Sequence, residues 1–340
     1  MTTVPEKQRL SEGAAAHHGL SEAQLLDMHY KMVLARRLQD RCYILQRQGR
    51  AAFVISGQGH EAAQVGTAAA LRAGVDWVFP YYRSHAACLT LGVTPREMFL
   101  NLFAKRADPA SGGIQMPSHW SYKRLKIVSG SSPVATQTLH AVGVALAIKR
   151  RGEDAIAITY LGEGSTSQGD FHEALNFASI HKLPVIFVVE NNGYAISEPT
   201  WKEMAIENVS DRAAAYGMKG ATVDGNDLLA VYQTAHWAID EARRGHGPTL
   251  LEAKTYRIVP HSSDDDDRRY RTRKEVEEWA KRDPVDRYER YLLEQKILTR
   301  EEAEKVRQRI DEEIAEAVAW AEQQPDPEPG DMFKHQYAES

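Results

Sequence analysis

Cysteine is scarce in this chain. Of 340 residues only Cys42 and Cys88 carry a thiol, and they form no Cys-x-x-Cys pair, which argues against a thiolate zinc site and against a disulfide framework. No run of about 18 apolar residues occurs, so nothing reads as a membrane-spanning helix. The opening stretch MTTVPEKQRLSEGAAAHHG is polar and poor in arginine, unlike a secretory signal or a mitochondrial presequence. A basic excess is missing too. The formal net charge is −5, whereas nucleic-acid binding favours a basic face. No Gly-Lys-Ser/Thr occurs, so there is no phosphate loop of the ATPase type. Proline and glycine are spread along the chain and mark no low-complexity segment. These absences leave a cytoplasmic protein with no nucleic acid and no membrane among its expected partners.

A hydrophobic content of 43% and a charged content of 26% are ordinary for a globular protein, and the length allows a large buried core. Residues 1–20 read as a mobile arm. Ser21 suits the N-cap of a helix that begins at Glu22 and stops at Gly49. HEAAQVGTAAALRAG is a second helix, rich in small residues. DWVFPYY is strand-like, TPREMFLNLFAKR is a helix capped by Thr94 with Pro95 at its first position, and LKIVSG is a short strand. SPVATQTLHAVGVALAIKRRG is a helix, DAIAITYL a strand, QGDFHEALNFASIHKL a helix and PVIFVVE a strand. After a further helix come KGATVDG, the helix DLLAVYQTAHWAIDEARRG and the strand PTLLEAKTYRI. Residues 274–323 are helical and heavily charged, and 324–340 form a tail of the kind that crosses to a partner chain. Continuous Val/Ile/Leu strands alternating with helices predict one α/β domain over 21–323. It has a doubly wound, mostly parallel sheet, helices on both faces, and extra helices at each end.

Ligands of such sheets sit beyond the carboxyl ends of the strands. Two strands here end in unusual polar groups, GEGSTSQG after AIAITYL and ENNGYAIS after PVIFVV. The first is not the dinucleotide fingerprint Gly-x-Gly-x-x-Gly. Residues 165–190 separate Gly164 from Asn191, a gap of 26 residues that accommodates a crossover helix and a return strand. If the two strands are neighbours, Glu163 and Asn192 converge. A carboxylate and an amide oxygen with a backbone carbonyl, phosphate oxygens and water suit magnesium. Gly162 and Gly164 admit a diphosphate, and Ser165 and Thr166 lead to a helix N-terminus that favours an anion. The spacing alone favours a plain βαβ unit with Asn-Asn-Gly as a turn.

GEG followed by NN resembles the thiamine diphosphate signature. WVFPYYRSH, IQMPSH, SGSSPVATQ, ENNGYAIS, VDGND and YRIVPHSSDDDDRRYR also occur in the order seen in the α subunit of the decarboxylating first component of 2-oxo acid dehydrogenase complexes. The similarity runs from about Ser21 to Arg273 and is nearest the branched-chain, 2-oxoisovalerate type. Glu163 stands where many thiamine enzymes have Asp. The resemblance implies the thiamine diphosphate-binding fold, with Glu163, Asn192 and the carbonyl of Tyr194 on magnesium. It places Tyr81, Tyr82, Arg83, Ser132, Val134, Gly164, Ser165 and His261 at the cofactor. Ser131, Pro133, Thr136 and Gln137 match a segment that coordinates potassium in some relatives. Phe53, Tyr82, Met116 and His119 would form an apolar wall suited to a branched 2-oxo acid.

His261 is the expected catalytic residue, with a titration near neutrality suiting work at the reactive carbon. Ser262 matches a position phosphorylated in animal relatives, and no phosphorylation is expected here. The resemblance further implies oxidative decarboxylation and reductive acylation of a lipoyl group on an acyltransferase core. By the family pattern the glutamate that bonds the aminopyrimidine and promotes ylid formation lies on the β subunit, so the resemblance implies that this chain would hold about half a site and work as an α2β2 heterotetramer. Pyruvate or acetoin as substrate, and a non-catalytic structural subunit, are the alternatives.

Overall fold

The computed structural model describes His17 and residues 19–334. The rest of the expected N-terminal arm, and residues 335–340 of the expected tail, lie outside the described residues. Helix α1 (Glu22–Arg47) begins as expected at Ser21. The Ser21 hydroxyl accepts the Gln24 N–H at 3.3 Å and Gln24 Oε1 accepts the Ser21 N–H at 3.0 Å, a capping box. Along the chain follow α2 (Glu61–Ala69), β1 (Trp77–Phe79), α3 (His85–Thr90), α4 (Pro95–Leu102), α5 (Thr136–Arg151), β2 (Ala157–Gly162), α6 (Gly169–Ile180) and β3 (Val185–Asn191). Next come the short pair β4 (Tyr194–Ala195) and β5 (Glu198–Pro199), then α7 (Thr200–Glu203), β6 (Lys219–Asp224), α8 (Leu228–Arg243) and β7 (Thr249–Lys254). Helices α9 (Arg273–Ala280), α10 (Pro284–Glu294) and α11 (Arg300–Glu322) complete the order.

The sheet runs β1-β2-β3-β7-β6 with every neighbouring pair parallel, and helices cover both faces, as the sequence predicts. Successive residues of a strand point to opposite faces. On β3, Val185, Phe187 and Val189 enter one core beside Phe171 and Leu175 of α6. Ile186 and Val188 enter a larger core built with α1, α2, α8 and α11. Burial on both sides explains why β3 reads as an unbroken apolar run. Each such side chain, fully buried, stabilises the fold by roughly 1.5–3 kcal/mol relative to exposure.

Several local expectations are corrected. LKIVSG is not a strand. Lys126 has φ 53°, and only Ile127 bridges to Val78 and Tyr122, so the ladder cannot propagate. DWVFPYY keeps only its first part as a strand, because Pro80 has no N–H to extend it. Helix α5 begins at Thr136 and not at the serine-proline, since Ala135 sits at φ 71°. The charged C-terminal stretch is three helices, with a break at Lys296, φ 59°. The six-residue α3 has no counterpart in the sequence reading. No described helix is long and apolar enough to cross a membrane.

The N- and C-terminal helices lock together. His29 on α1 meets Glu289 on α10 at 3.0 Å, and the Tyr288 hydroxyl donates to the Leu25 carbonyl at 3.1 Å. Arg36 donates to Glu61 at 2.7 Å and to Asp283, the N-cap of α10, at 2.8 Å. The beginning of the tail also returns to its own chain, with the Arg106 N–H donating to the Pro325 carbonyl at 3.0 Å.

His85 opens α3 in full burial, its Nδ1–H donating to the Arg83 carbonyl at 3.2 Å. Burial lowers this imidazole to about 4, against the hydrogen bond to the Arg83 carbonyl and with the charge of Arg83. The unfolded chain, with histidine near 6.5, therefore takes up the proton first. Stability is full above about pH 6.5 and is lost as pH falls toward the folded value, by up to about 3 kcal/mol from this residue. Urea unfolding at neutral and acid pH should show the loss, and His85→Gln should flatten it. An identical pH slope in the variant would exclude His85 as its source.

Candidate cofactor and metal site

The pairing of β2 with β3 ends at Gly162 opposite Glu190. The chain continues from these level tips into Glu163 and Asn192, and the Asn192 N–H donates to Glu163 Oε2 at 3.0 Å. The two predicted strand tips therefore meet. Glu163 is 1% and Asn192 4% exposed, yet Glu163 Oε1 and Asn192 Oδ1 have no hydrogen-bond partner. An unpaired buried acceptor costs about 1–3 kcal/mol. Two of them side by side, one a carboxylate, form a donor set that fits a hard divalent cation. Burial raises the Glu163 carboxyl above its ordinary range. The Tyr194 carbonyl accepts only a long bond, 3.4 Å, from Arg257.

Facing this carboxylate and amide are two buried arginines. Arg83 is 2% and Arg257 1% exposed, and neither makes an ion pair among the described residues. Arg83 donates to the Ser56 carbonyl at 2.5 Å, to His261 Nδ1 at 2.9 Å and to the His261 carbonyl at 3.1 Å. Arg257 donates to the Ile196 carbonyl at 2.6 Å and to the Tyr270 hydroxyl at 2.8 Å. Burial, then the charge of Arg83, lowers the Arg257 pKa. Two desolvated guanidiniums without a carboxylate between them suit a multiply charged anion such as a diphosphate.

The expected near-neutral titration of His261 is corrected here. Burial, then Arg83 and Arg257, lowers its imidazole to about 3. The ring is neutral, Nδ1 accepts from Arg83, and Nε2 carries the proton. Its backbone N–H donates to Asp265 at 2.8 Å, and Asp265 also takes the Tyr270 hydroxyl at 2.5 Å.

These groups border one cavity of about 170 Å³, lined by Tyr81, Tyr82, Arg83, Val134, Glu163, Gly164, Ser165, Asn192, Tyr194 and His261 among the predicted residues. Tyr81 contributes its ring, its hydroxyl being bonded to Glu190 at 2.6 Å. Ser132 is not a lining residue. It bonds His119 Nε2 at 2.5 Å, and His119 Nδ1 bonds the Met116 carbonyl at 3.0 Å. Met116 is 54% exposed, and neither it, His119 nor Phe53 lines the cavity. Ser131, Pro133, Thr136 and Gln137 also lie outside its lining. Gln137 is buried, donates to the Tyr160 carbonyl at 2.9 Å and leaves Oε1 unpaired.

Sequence reading missed Arg257, because it sits in YRI, an apparent continuation of a strand. A charged residue at a parallel strand's carboxyl end was the available signal.

The two glycines around Glu163 differ. A Cβ on Gly162 would meet nothing within 4 Å, whereas one on Gly164 would stand 2.6 Å from the Ala195 Cβ. Gly164 is thus required by the chain itself, and Gly162 is open space at the cavity wall. We expect Gly162→Ala to leave the melting temperature of the free chain unchanged but to weaken diphosphate binding. Gly164→Ala should destabilise the fold by about 1–3 kcal/mol through overpacking. Calorimetric titration with pyrophosphate and thermal melts check both, and undiminished binding by Gly162→Ala would reject the cradle.

Comparison with known proteins gives the family. The dehydrogenase E1 component family matches residues 30–330. The chain is 51% identical over 320 residues to the 2-oxoisovalerate dehydrogenase subunit alpha of Bacillus subtilis, covering 94% of this chain and 97% of that one. It is 41% identical over 326 residues to the 3-methyl-2-oxobutanoate dehydrogenase subunit alpha of Mycobacterium tuberculosis, covering 95% and 85%. The pyruvate dehydrogenase E1 component subunit alpha of Bacillus subtilis is 39% identical over 324 residues, covering 95% and 84%. A match of this extent, over a chain whose strand tips, arginines and histidine converge on one cavity, means that the chain belongs to the dehydrogenase E1 component family.

Proposed function

We propose that this chain is the α subunit of a branched-chain 2-oxo acid dehydrogenase, holding thiamine diphosphate through magnesium and acting with a β subunit and a lipoyl-bearing acyltransferase core. The observation that carries the reading is the pair of unpaired oxygens on Glu163 and Asn192 opposite two arginines without ion pairs. Glu163, Asn192 and the Tyr194 carbonyl would hold the cation, and Arg83 and Arg257 the diphosphate. When bound, thiamine diphosphate supplies the nucleophilic carbon and electron sink for decarboxylation. His261 presents Nε2–H as a fixed donor because Arg83 occupies Nδ1. A neutral donor can support developing negative charge without first gaining a proton.

The branched-chain preference rests on 51% identity to a 2-oxoisovalerate relative against 39% to a pyruvate relative. Phe53, Met116 and His119 would become the substrate wall on assembly. Ile196, which lines the cavity, is 60% exposed, so the cavity wall has an apolar side open to a β subunit that would complete the site. The unpaired Oε1 of Gln137 supports a potassium ion held with Ser131, Pro133 and Thr136. A purely structural subunit would have no use for buried unpaired charge, which costs stability.

With the β partner present, turnover on 2-oxoisovalerate should exceed that on pyruvate, and a clear preference for pyruvate would reverse the substrate assignment. Glu163→Ala should abolish magnesium-dependent thiamine diphosphate binding, read by calorimetry, with the far-ultraviolet circular dichroism unchanged; intact binding would remove the metal role. His261→Ala should lower kcat more than cofactor affinity, and the reverse pattern would count against its catalytic role.

A further inference from the structure

Glu190 stands on β3 two residues before Asn192 and is fully buried. Its Oε2 collects hydrogen bonds from the Tyr81 hydroxyl at 2.6 Å, His60 Nδ1 at 2.6 Å and Gln64 Nε2 at 3.0 Å. Gln64 extends the tie. Its Nε2 also donates to the Arg83 carbonyl at 2.9 Å, and its Oε1 accepts the Ala86 N–H at 2.9 Å. One carboxylate is therefore joined directly to Tyr81, and through Gln64 to the main chain of Arg83 and the first turn of α3.

This arrangement is expensive for the fold. Apolar residues of similar volume often replace a buried ionic group without loss of stability, and the neighbouring β3 positions Val188 and Val189 are apolar. Glu190 Oε1 and His60 Nε2 find no partner at all. The segment it holds also needs holding. Residues 81–83 follow a three-residue edge strand, so no ladder on their own strand fixes them against the centre of the sheet.

We infer that Glu190 is a positioning residue: it fastens the Tyr81–Arg83 turn to β3, so that the arginine facing the diphosphate and the asparagine facing the cation keep one fixed separation. The inference rests on the thiamine diphosphate reading above.

The test uses the full chain assembled with its β partner, titrated calorimetrically with thiamine diphosphate in excess magnesium. Absence of binding by the unmodified assembly would overturn the cofactor reading itself. With that binding established, Glu190→Gln should raise the dissociation constant at least about tenfold, equivalent to roughly 1.4 kcal/mol. Turnover at saturating cofactor should change far less, and the melting temperature of the cofactor-free assembly should hold or rise. Gln64→Met, which cuts the tie to Arg83 without touching the cavity, should shift the dissociation constant in the same direction, and it carries the test if Glu190→Gln does not fold. In a double-mutant cycle, Glu190→Gln combined with Arg83→Lys should bind scarcely more weakly than Arg83→Lys alone, because the two act on one contact. Unchanged cofactor affinity in the foldable single variants, or fully additive effects in the cycle, would overturn the inference.

Discussion

The site depends on the register between β2 and β3. Six residue pairs, from Ala157 with Val185 to Gly162 with Glu190, bring the two carboxyl ends level. Both strands are interior, with β1 on one side and β7 on the other, so neither slides without breaking a second ladder. A slip by one residue would also turn Val185, Phe187 and Val189 into the wrong core. The two cores thereby set where Glu163 and Asn192 stand, and packing far from the cavity determines the distance between two oxygens within it.

Charge placement follows a different logic from the surface ion pairs, such as Arg72 with Asp154, which solvent screens. Within the cavity wall, Arg83, Arg257 and Glu163 are desolvated, and the arginines bond to carbonyls, a hydroxyl and a neutral imidazole. Backbone carbonyls orient a guanidinium without cancelling its charge. The result is a positive surface held rigid in advance, which lowers the reorganisation a bound anion would require. Burial, reinforced by the same field, keeps His261 unprotonated.

Much of this was legible in the sequence, for identifiable reasons. β3 is buried on both faces and so opens as a continuous apolar run, VIFVV, while β2 and β7 are buried and mostly apolar. Ser21 and Thr94 signal helix starts because their hydroxyls meet donors three residues on. Glu163 and Asn192 stood out because carboxylate and amide tips are unusual after such runs. What stayed hidden depends on residues distant in sequence. The protonation of His261 is set by its burial in the folded chain and then by Arg83 and Arg257. The role of Tyr81's hydroxyl is set by Glu190. Helix α3 is too short to show a period. Phe53, Met116 and His119 were grouped as a wall, and this chain alone leaves them outside the cavity lining.

The clasp between α1 and α10 has a consequence for biosynthesis. Leu25, His29 and Arg36 take partners at Tyr288, Glu289 and Asp283, so the first of the described helices to leave the ribosome is paired with one of the last. At about 5–20 residues per second, translation leaves the apolar stripe of α1 without these neighbours for roughly 13–50 seconds. During that interval the nascent polypeptide presents Leu25, Met28 and Met32 without these neighbours, and a chain that ends before residue 283 lacks all three partners of the clasp.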